Sequence, residues 1–157
     1  MHLESTIVIC RSPEEVGRFL GDVSNISKWD RGVAEARENS DGPMQVGSEF
    51  ETLAPIHLGG NKSNRGRMGY RIAEVGNDYC KVQLTSTDGN ARFFKNAEWI
   101  FRTKAAGENT LLTCSVNFVL RARYLALAPI FWMMRGAIQR DLQQLKSALE
   151  KDLPITT

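Results

Sequence analysis

Two histidines, three cysteines and a scatter of carboxylates are the side chains of this 157-residue chain that could do nucleophilic or acid–base chemistry. The histidines are His2 and His57. No cysteine stands near either in sequence, and no Gly-x-Ser-x-Gly elbow presents a serine. His2 reads as a terminal residue and His57 as a loop residue, so no triad is expected. Cys10, Cys80 and Cys114 are widely spaced, with no Cys-x-x-Cys pair. Neither a disulfide framework nor a zinc site is expected from them. A reducing, cytoplasmic compartment fits that usage better.

The carboxylates give no pair. Glu49 and Glu51 share a strand face with Leu53, while Phe50 and Thr52 share the other. Glu98 falls on the face opposite Trp99 and Phe101. No two acids can be placed in one pocket from these positions, so general acid–base catalysis has no signal and no catalytic residue is assigned. No His/Asp/Glu group has metal-ligand spacing, and neither a metal nor a cofactor is expected.

Gly59-Gly60-Asn61-Lys62-Ser63 superficially resembles a phosphate loop, but it lacks the Gly-x-x-x-x-Gly-Lys spacing and a following helix. A hairpin tip is the simpler reading. Around it Lys62, Arg65, Arg67 and Arg71 occur with no acid between Thr52 and Ala73. A solvated basic face accounts for them; an anionic head group at a cavity mouth is the alternative. The net charge, 20 − 18 = +2, is too small to suggest a nucleic-acid partner.

The aromatic residues and methionines are more informative. Trp29, Phe50, Tyr70, Trp99, Phe101, Phe118, Phe131 and Met134 are the candidate inward residues. They either fill a core or line an apolar site. The segment from Tyr124 to Met134 is apolar all round and bracketed by Arg121, Arg123 and Arg135. It needs cover from its own core, from a second subunit in a homodimer, or from a peripheral membrane contact. It is well short of the ~20 residues that span a bilayer.

These residues need elements to position them. Length fits one domain over residues 1–157, and 42% hydrophobic with 24% charged residues argues against disorder. The N-terminus shows no basic segment before an apolar run, so no secretory signal is expected. Leu3 to Ile9 reads as a strand. Ser12, Pro13 and Glu15 form a capping box with a first-turn proline, and a helix follows to Gly21. A second short helix spans Ser24 to Trp29. Strands are predicted at Val33–Arg37, Ser48–Ala54, Arg67–Val75, Tyr79–Ser86, Arg92–Thr103 and Thr110–Leu120. The short connections between them demand antiparallel neighbours. Leu127, Phe131, Met134, Ile138, Leu142, Leu145 and Leu149 predict a long helix from about Ala122 to Lys151, which Pro129 must kink or delay. The class is α+β, with an antiparallel sheet of about seven strands and helices on one side.

That order resembles the helix-grip fold of the START-like (SRPBCC) superfamily and, within it, the polyketide cyclase/dehydrase family. The carrying residues are Ser12-Pro13-Glu14-Glu15-Val16 leading to Asp22-Val23 and Trp29-Asp30. Val46-Gly47-Ser48-Glu49-Phe50 and the stretch from Leu142 to Glu150 complete them. The resemblance implies a curved sheet wrapped around the C-terminal helix, with an apolar cavity between them. It implies binding or transport of a lipid, polyketide or quinone-like ligand. A cyclase or dehydratase is the alternative, and a partner-binding stress or cochaperone-like module the second alternative, favoured by a packed interior. Fold alone does not choose among these. On this reading Trp99, Phe118 and Phe131 are cavity walls. The turn from Tyr124 to Pro129 and the loop from His57 to Gly66 form the entrance.

Overall fold

The computed structural model describes residues 1–39, 44–55, 66–87, 89–133 and 135–151. Strand β1 (His2–Ile9) comes first, followed by helices α1 (Pro13–Gly21) and α2 (Ile26–Trp29). Six more strands follow: β2 (Glu35–Glu38), β3 (Glu49–Leu53), β4 (Arg67–Val75), β5 (Tyr79–Leu84), β6 (Phe94–Ala106) and β7 (Asn109–Leu120). The chain closes with α3 (Ala128–Met133) and α4 (Arg135–Lys151).

The capping box forms as the sequence requires. Glu15 N–H donates to Ser12 Oγ at 3.3 Å, and Ser12 N–H donates to the Glu15 carboxylate at 2.9 Å. A 3-10 turn at Val23–Asn25 links α1 to α2. Its start is fixed by Ser24 N–H donating to Asp22 Oδ1 at 2.9 Å, and buried Asn25 donates back to the Phe19 carbonyl at 3.0 Å.

The sheet has seven strands in the order β1-β7-β6-β5-β4-β3-β2, and every pair is antiparallel. The register aligns Leu3, Val116, Trp99, Val82 and Ile72 in one row across five strands. Because side chains alternate along a strand, that row defines a single apolar face. The β6–β7 hairpin turns at Gly107, whose φ of 67° lies in the left-handed region that glycine adopts without a Cβ clash.

The predicted long helix starts later than Ala122, and its α3 and α4 parts flank residue 134, which lies outside the described residues. A 3-10 stretch covers Ala122–Leu127, then α3, then α4. Pro129 is the second residue of α3, where its missing N–H costs no helical hydrogen bond. The proline therefore delays the helix instead of kinking it. Leu142, Leu145 and Leu149 of α4 bury against Leu3, Ile9, Leu112 and Val116 of β1 and β7. Polar tethers fix its height: Lys146 Nζ donates to the Val8 carbonyl at 2.9 Å, and Cys10 N–H donates to Glu150 Oε1 at 2.9 Å. Ser5 and Gln139 add a side-chain hydrogen bond.

One helix cannot cover this sheet. Seven strands at ~4.8 Å span roughly 29 Å, whereas a helix with side chains is about 10 Å across. A second buried cluster, Val23, Phe50 and Ile72 with Ile26 of α2 packed against it, accordingly forms on the other half of the sheet. Leu145 is fully buried in the larger cluster. Leu145→Ala should lower unfolding free energy by ~2–5 kcal/mol in urea titration. A loss below ~1 kcal/mol would mean that α4 does not anchor the sheet.

Candidate functional site

Where the short helices bridge the sheet, they leave an apolar cavity of about 290 Å³. Its roof is Leu20, Ile26 and Trp29 from α1 and α2; its floor is Phe50, Tyr70, Ile72, Val82, Trp99 and Phe101 from β3 to β6. The floor follows from alternation: the inward row of the sheet continues into β3 and β4 beyond the reach of α4. Exposed Gly17, Gly21, Val75, Asn77 and Asp78 line its outer end, between α1 and the β4–β5 turn.

The aromatic side chains fix each other's planes. Phe50 stacks on Tyr70 at 5.1 Å, and Tyr70 meets Trp99 edge-on at 5.3 Å. Trp29 and Phe101 form another edge contact at 6.1 Å between roof and floor. Such pairs add specificity of shape beyond their buried area. The Tyr70 hydroxyl points at Met68 Sδ, a weak acceptor at 3.6 Å, and burial pushes its pKa up.

Five of the eight predicted residues thus meet in one place: Trp29, Phe50, Tyr70, Trp99 and Phe101. Phe118 and Phe131 do not line the cavity. They pack with Phe93 and Phe94 at centroid distances of 5.5–6.1 Å, a filled cluster beneath α3. Met134 lies outside the described residues. The expected position of the cavity, under the last helix, is therefore corrected: among the described residues, none from α3 or α4 lines it. The entrance is corrected likewise. The Tyr124–Pro129 turn is not on its rim, and residues 56–65 lie outside the described residues.

The basic stretch is partly neutralised. Arg71 pairs with Glu49 at 2.7 Å, and Arg67 lies 3.4 Å from Glu51. Register explains this, because β3 and β4 place Glu49 opposite Arg71. These ion pairs sit on the face opposite Phe50 and Thr52, so Arg67 and Arg71 do not reach the cavity. Lys62, Arg65 and His57 lie outside the described residues. His2 bonds Asn117 at 2.7 Å on β7, and it is not among the cavity's lining residues.

Sequence positions alone placed no two acids in one pocket; the structure brings Asp30 and Asp141 within electrostatic influence of each other, and of the two only Asp30 lines the cavity. Asp30 ends α2 on the cavity wall, where its Oδ1 accepts the Gly32 N–H at 2.7 Å. Burial pushes its carboxyl above the usual range, and the Gly32 hydrogen bond opposes that shift. Asp141 of α4 is pushed from 3.8 to about 6, first by burial and next by the Asp30 charge, against the pull of Arg140 and Arg31. Burial, with Asp141 and Asp30 adding, pushes the Cys114 thiol up to about 12. Gln144 of α4 lies between the same groups: with its amide turned so that the nitrogen donates to the Trp29 carbonyl at 3.0 Å, its oxygen accepts from Arg31 Nε at 2.6 Å. Sequence contained one hint, the Trp29-Asp30 pair before Gly32, but nothing to couple it to Asp141. Among the described residues, no group of three His, Cys, Asp or Glu side chains is arranged to hold a metal.

Comparison with known proteins follows this geometry. The family model for polyketide cyclase/dehydrase and lipid transport proteins matches residues 1–150. No curated protein sequence matches. Among solved structures, the Zhui aromatase/cyclase of Streptomyces sp. R1128 superposes with a TM-score of 0.78 at 15% identity, over 99% of this chain and 96% of that one. A START superfamily protein of Mycobacterium smegmatis gives 0.73 at 15% identity, over 96% and 97%. TTHA0849 of Thermus thermophilus gives 0.73 at 13%, over 95% and 97%. At these identities the likeness is one of fold: an open antiparallel sheet, short helices after the first strand and a long C-terminal helix.

The raised acids carry a pH signature. A carboxyl whose folded pKa exceeds its unfolded value stabilises the fold fully below the unfolded value, and that contribution is lost as pH rises through the folded one. For Asp141 the window runs from 3.8 to about 6. Asp141→Asn keeps the neutral shape at every pH. Its urea midpoint should exceed that of the native chain by more at pH 7 than at pH 4. An equal offset at both pH values would show that Asp141 is not held in a disfavoured ionised state.

Proposed function

Since the chain belongs to the polyketide cyclase/dehydrase and lipid transport family, we propose that it binds a small hydrophobic ligand in the cavity under α1 and α2. A lipid, polyketide or quinone-like molecule fits that chemistry. The observation that carries the reading is the aromatic-walled cavity itself, about 290 Å³, at the small end of the ~300–1,000 Å³ typical of ligand pockets. At ~30 Å³ per water, a ligand there displaces roughly ten waters. Burial supplies the affinity, at roughly 25 cal/mol per Å² of apolar surface removed from water. The Tyr70 hydroxyl and Asp30 carboxyl are the groups that orient the ligand. The small volume selects a compact or fused-ring molecule over one with two long acyl chains.

A second reading is favoured by one observation. Asp30 sits on the cavity wall with its pKa raised by burial. A carboxyl that retains its proton can protonate a ligand carbonyl or hydroxyl, and once ionised can remove a proton alpha to a carbonyl. That is the chemistry a cyclase or dehydratase needs. The partner-binding stress-protein reading rested on a packed interior, and the cavity speaks against it. The proposed setting is a single START-like domain in a reducing, cytoplasmic compartment, in line with three free thiols. Among the described residues of the apolar segment, 124–133, none lines this cavity.

The test is fluorescence titration with 1-aminoanthracene. Trp99→Ala should weaken binding about tenfold or more. Phe118→Ala should lower stability but leave affinity within about threefold, because its cavity opens elsewhere. Equal weakening by both would place the binding site away from the floor of β3 to β6. Asp30→Asn separates the two readings: a carrier keeps probe affinity and has no turnover to lose. A cyclase loses conversion of a poly-β-ketone substrate.

A further inference from the structure

The segment between β7 and α4 is unusual for a free surface. Phe131 and Tyr124 turn inward onto Phe93, at 6.1 and 5.0 Å. That orientation leaves the next large side chains outside: Leu125 is 59% exposed, Ile130 59%, Trp132 57% and Met133 77%. Four large apolar side chains are thus exposed within one short stretch of chain, and exposed apolar groups gathered in this way mark contact surfaces.

Along this stretch of chain the formal charge has one sign. From Asn109 to Arg140 the chain holds no Asp or Glu, and it holds Arg121, Arg123, Arg135 and Arg140. Two guanidiniums lie on packed rings at this segment. Arg123 stands 5.0 Å from the Tyr124 ring, and Arg92 stands 4.9 Å from the Phe93 ring. Those two rings touch each other. The cations are therefore held at the edge of the apolar surface. A second copy of the chain placed face to face would bring these arginines together, which is unfavourable. An anionic partner with an apolar interior satisfies both features.

We propose that the Ala122–Met133 segment docks on an anionic lipid bilayer. Leu125, Ile130, Trp132 and Met133 enter the boundary between head groups and acyl chains. Arg92 and Arg123 meet lipid phosphates. No described helix is long and apolar enough to cross a membrane, so the contact is an interfacial one. This surface is separate from the cavity and does not depend on what the cavity binds.

The experiment is co-sedimentation of the full chain with vesicles of phosphatidylcholine alone or mixed with phosphatidylglycerol. Binding to the mixed vesicles should be at least about tenfold tighter and should weaken as salt is raised, since exposed charges are screened within about 10 Å at 0.1 M. Ile130→Ser/Met133→Ser should lose about tenfold or more by removing the inserted groups. Arg92→Gln/Arg123→Gln should abolish the preference for anionic vesicles while keeping the thermal midpoint and 1-aminoanthracene affinity of the native chain. Equal binding to both vesicle types, native-like binding by the Ser variant, or a dimer in analytical ultracentrifugation that the Ser variant disperses would each overturn the proposal.

Discussion

A seven-stranded antiparallel sheet is about three times wider than the one long helix laid on it, and that mismatch governs the rest of the molecule. Helix α4 seals β1 and β7 with Leu142, Leu145 and Leu149. The other half of the sheet continues the same inward row, through Val82 and Ile72, with no long helix above it. Two short helices bridge that half and do not fill it. The cavity is the space that remains. Its aromatic walls are thus core residues deprived of a packing partner, which is why a ligand can supply the missing contacts.

The same geometry explains the electrostatics. Helix α2 ends at the margin of α4, where the Gln144 amide stands within hydrogen-bond reach of the Trp29 carbonyl and of Arg31. Asp30 follows that carbonyl directly; burial raises the pKa of its own carboxyl, and its charge in turn raises that of Asp141 on α4. Arg31 and Arg140 offset part of it. A buried carboxylate is costly, and that burial makes the neutral form of Asp30 easier to hold. A group on the cavity wall that can exist with its proton is an asset both for orienting a polar ligand atom and for acid–base chemistry.

On the opposite face, charge is spent differently. Glu49–Arg71 and Glu51–Arg67 are cross-strand pairs on the outside of β3 and β4. Exposed pairs of this kind contribute little stability, but they keep the charged row outward and so fix the inward row of Phe50, Thr52 and Tyr70. The arginines beside Ala122–Met133 have no acid in their own stretch of chain to answer them. The two basic regions of the sequence therefore differ in kind, one balanced within the sheet and one flanking an apolar surface.

What the sequence determined by itself was local. Period-two alternation marked the strands, Ser12-Pro13-Glu15 marked the start of α1, and Pro129 marked where the last helix could not yet begin. These are choices made within a few residues, by hydrogen bonds and side-chain facing that neighbours decide. The inward facing of Trp29, Phe50, Tyr70, Trp99 and Phe101 was legible for the same reason. Only the tertiary structure decided which inward residues meet a cavity and which meet each other. Phe118 and Trp99 have the same facing in their strands, yet Phe118 lies under Phe131 and Trp99 under open space. The difference comes from how far across the sheet each helix reaches. The Asp30–Asp141 pair was invisible for a related reason: it joins two helices whose approach depends on the whole sheet between them, and no spacing along the chain records a distance through space.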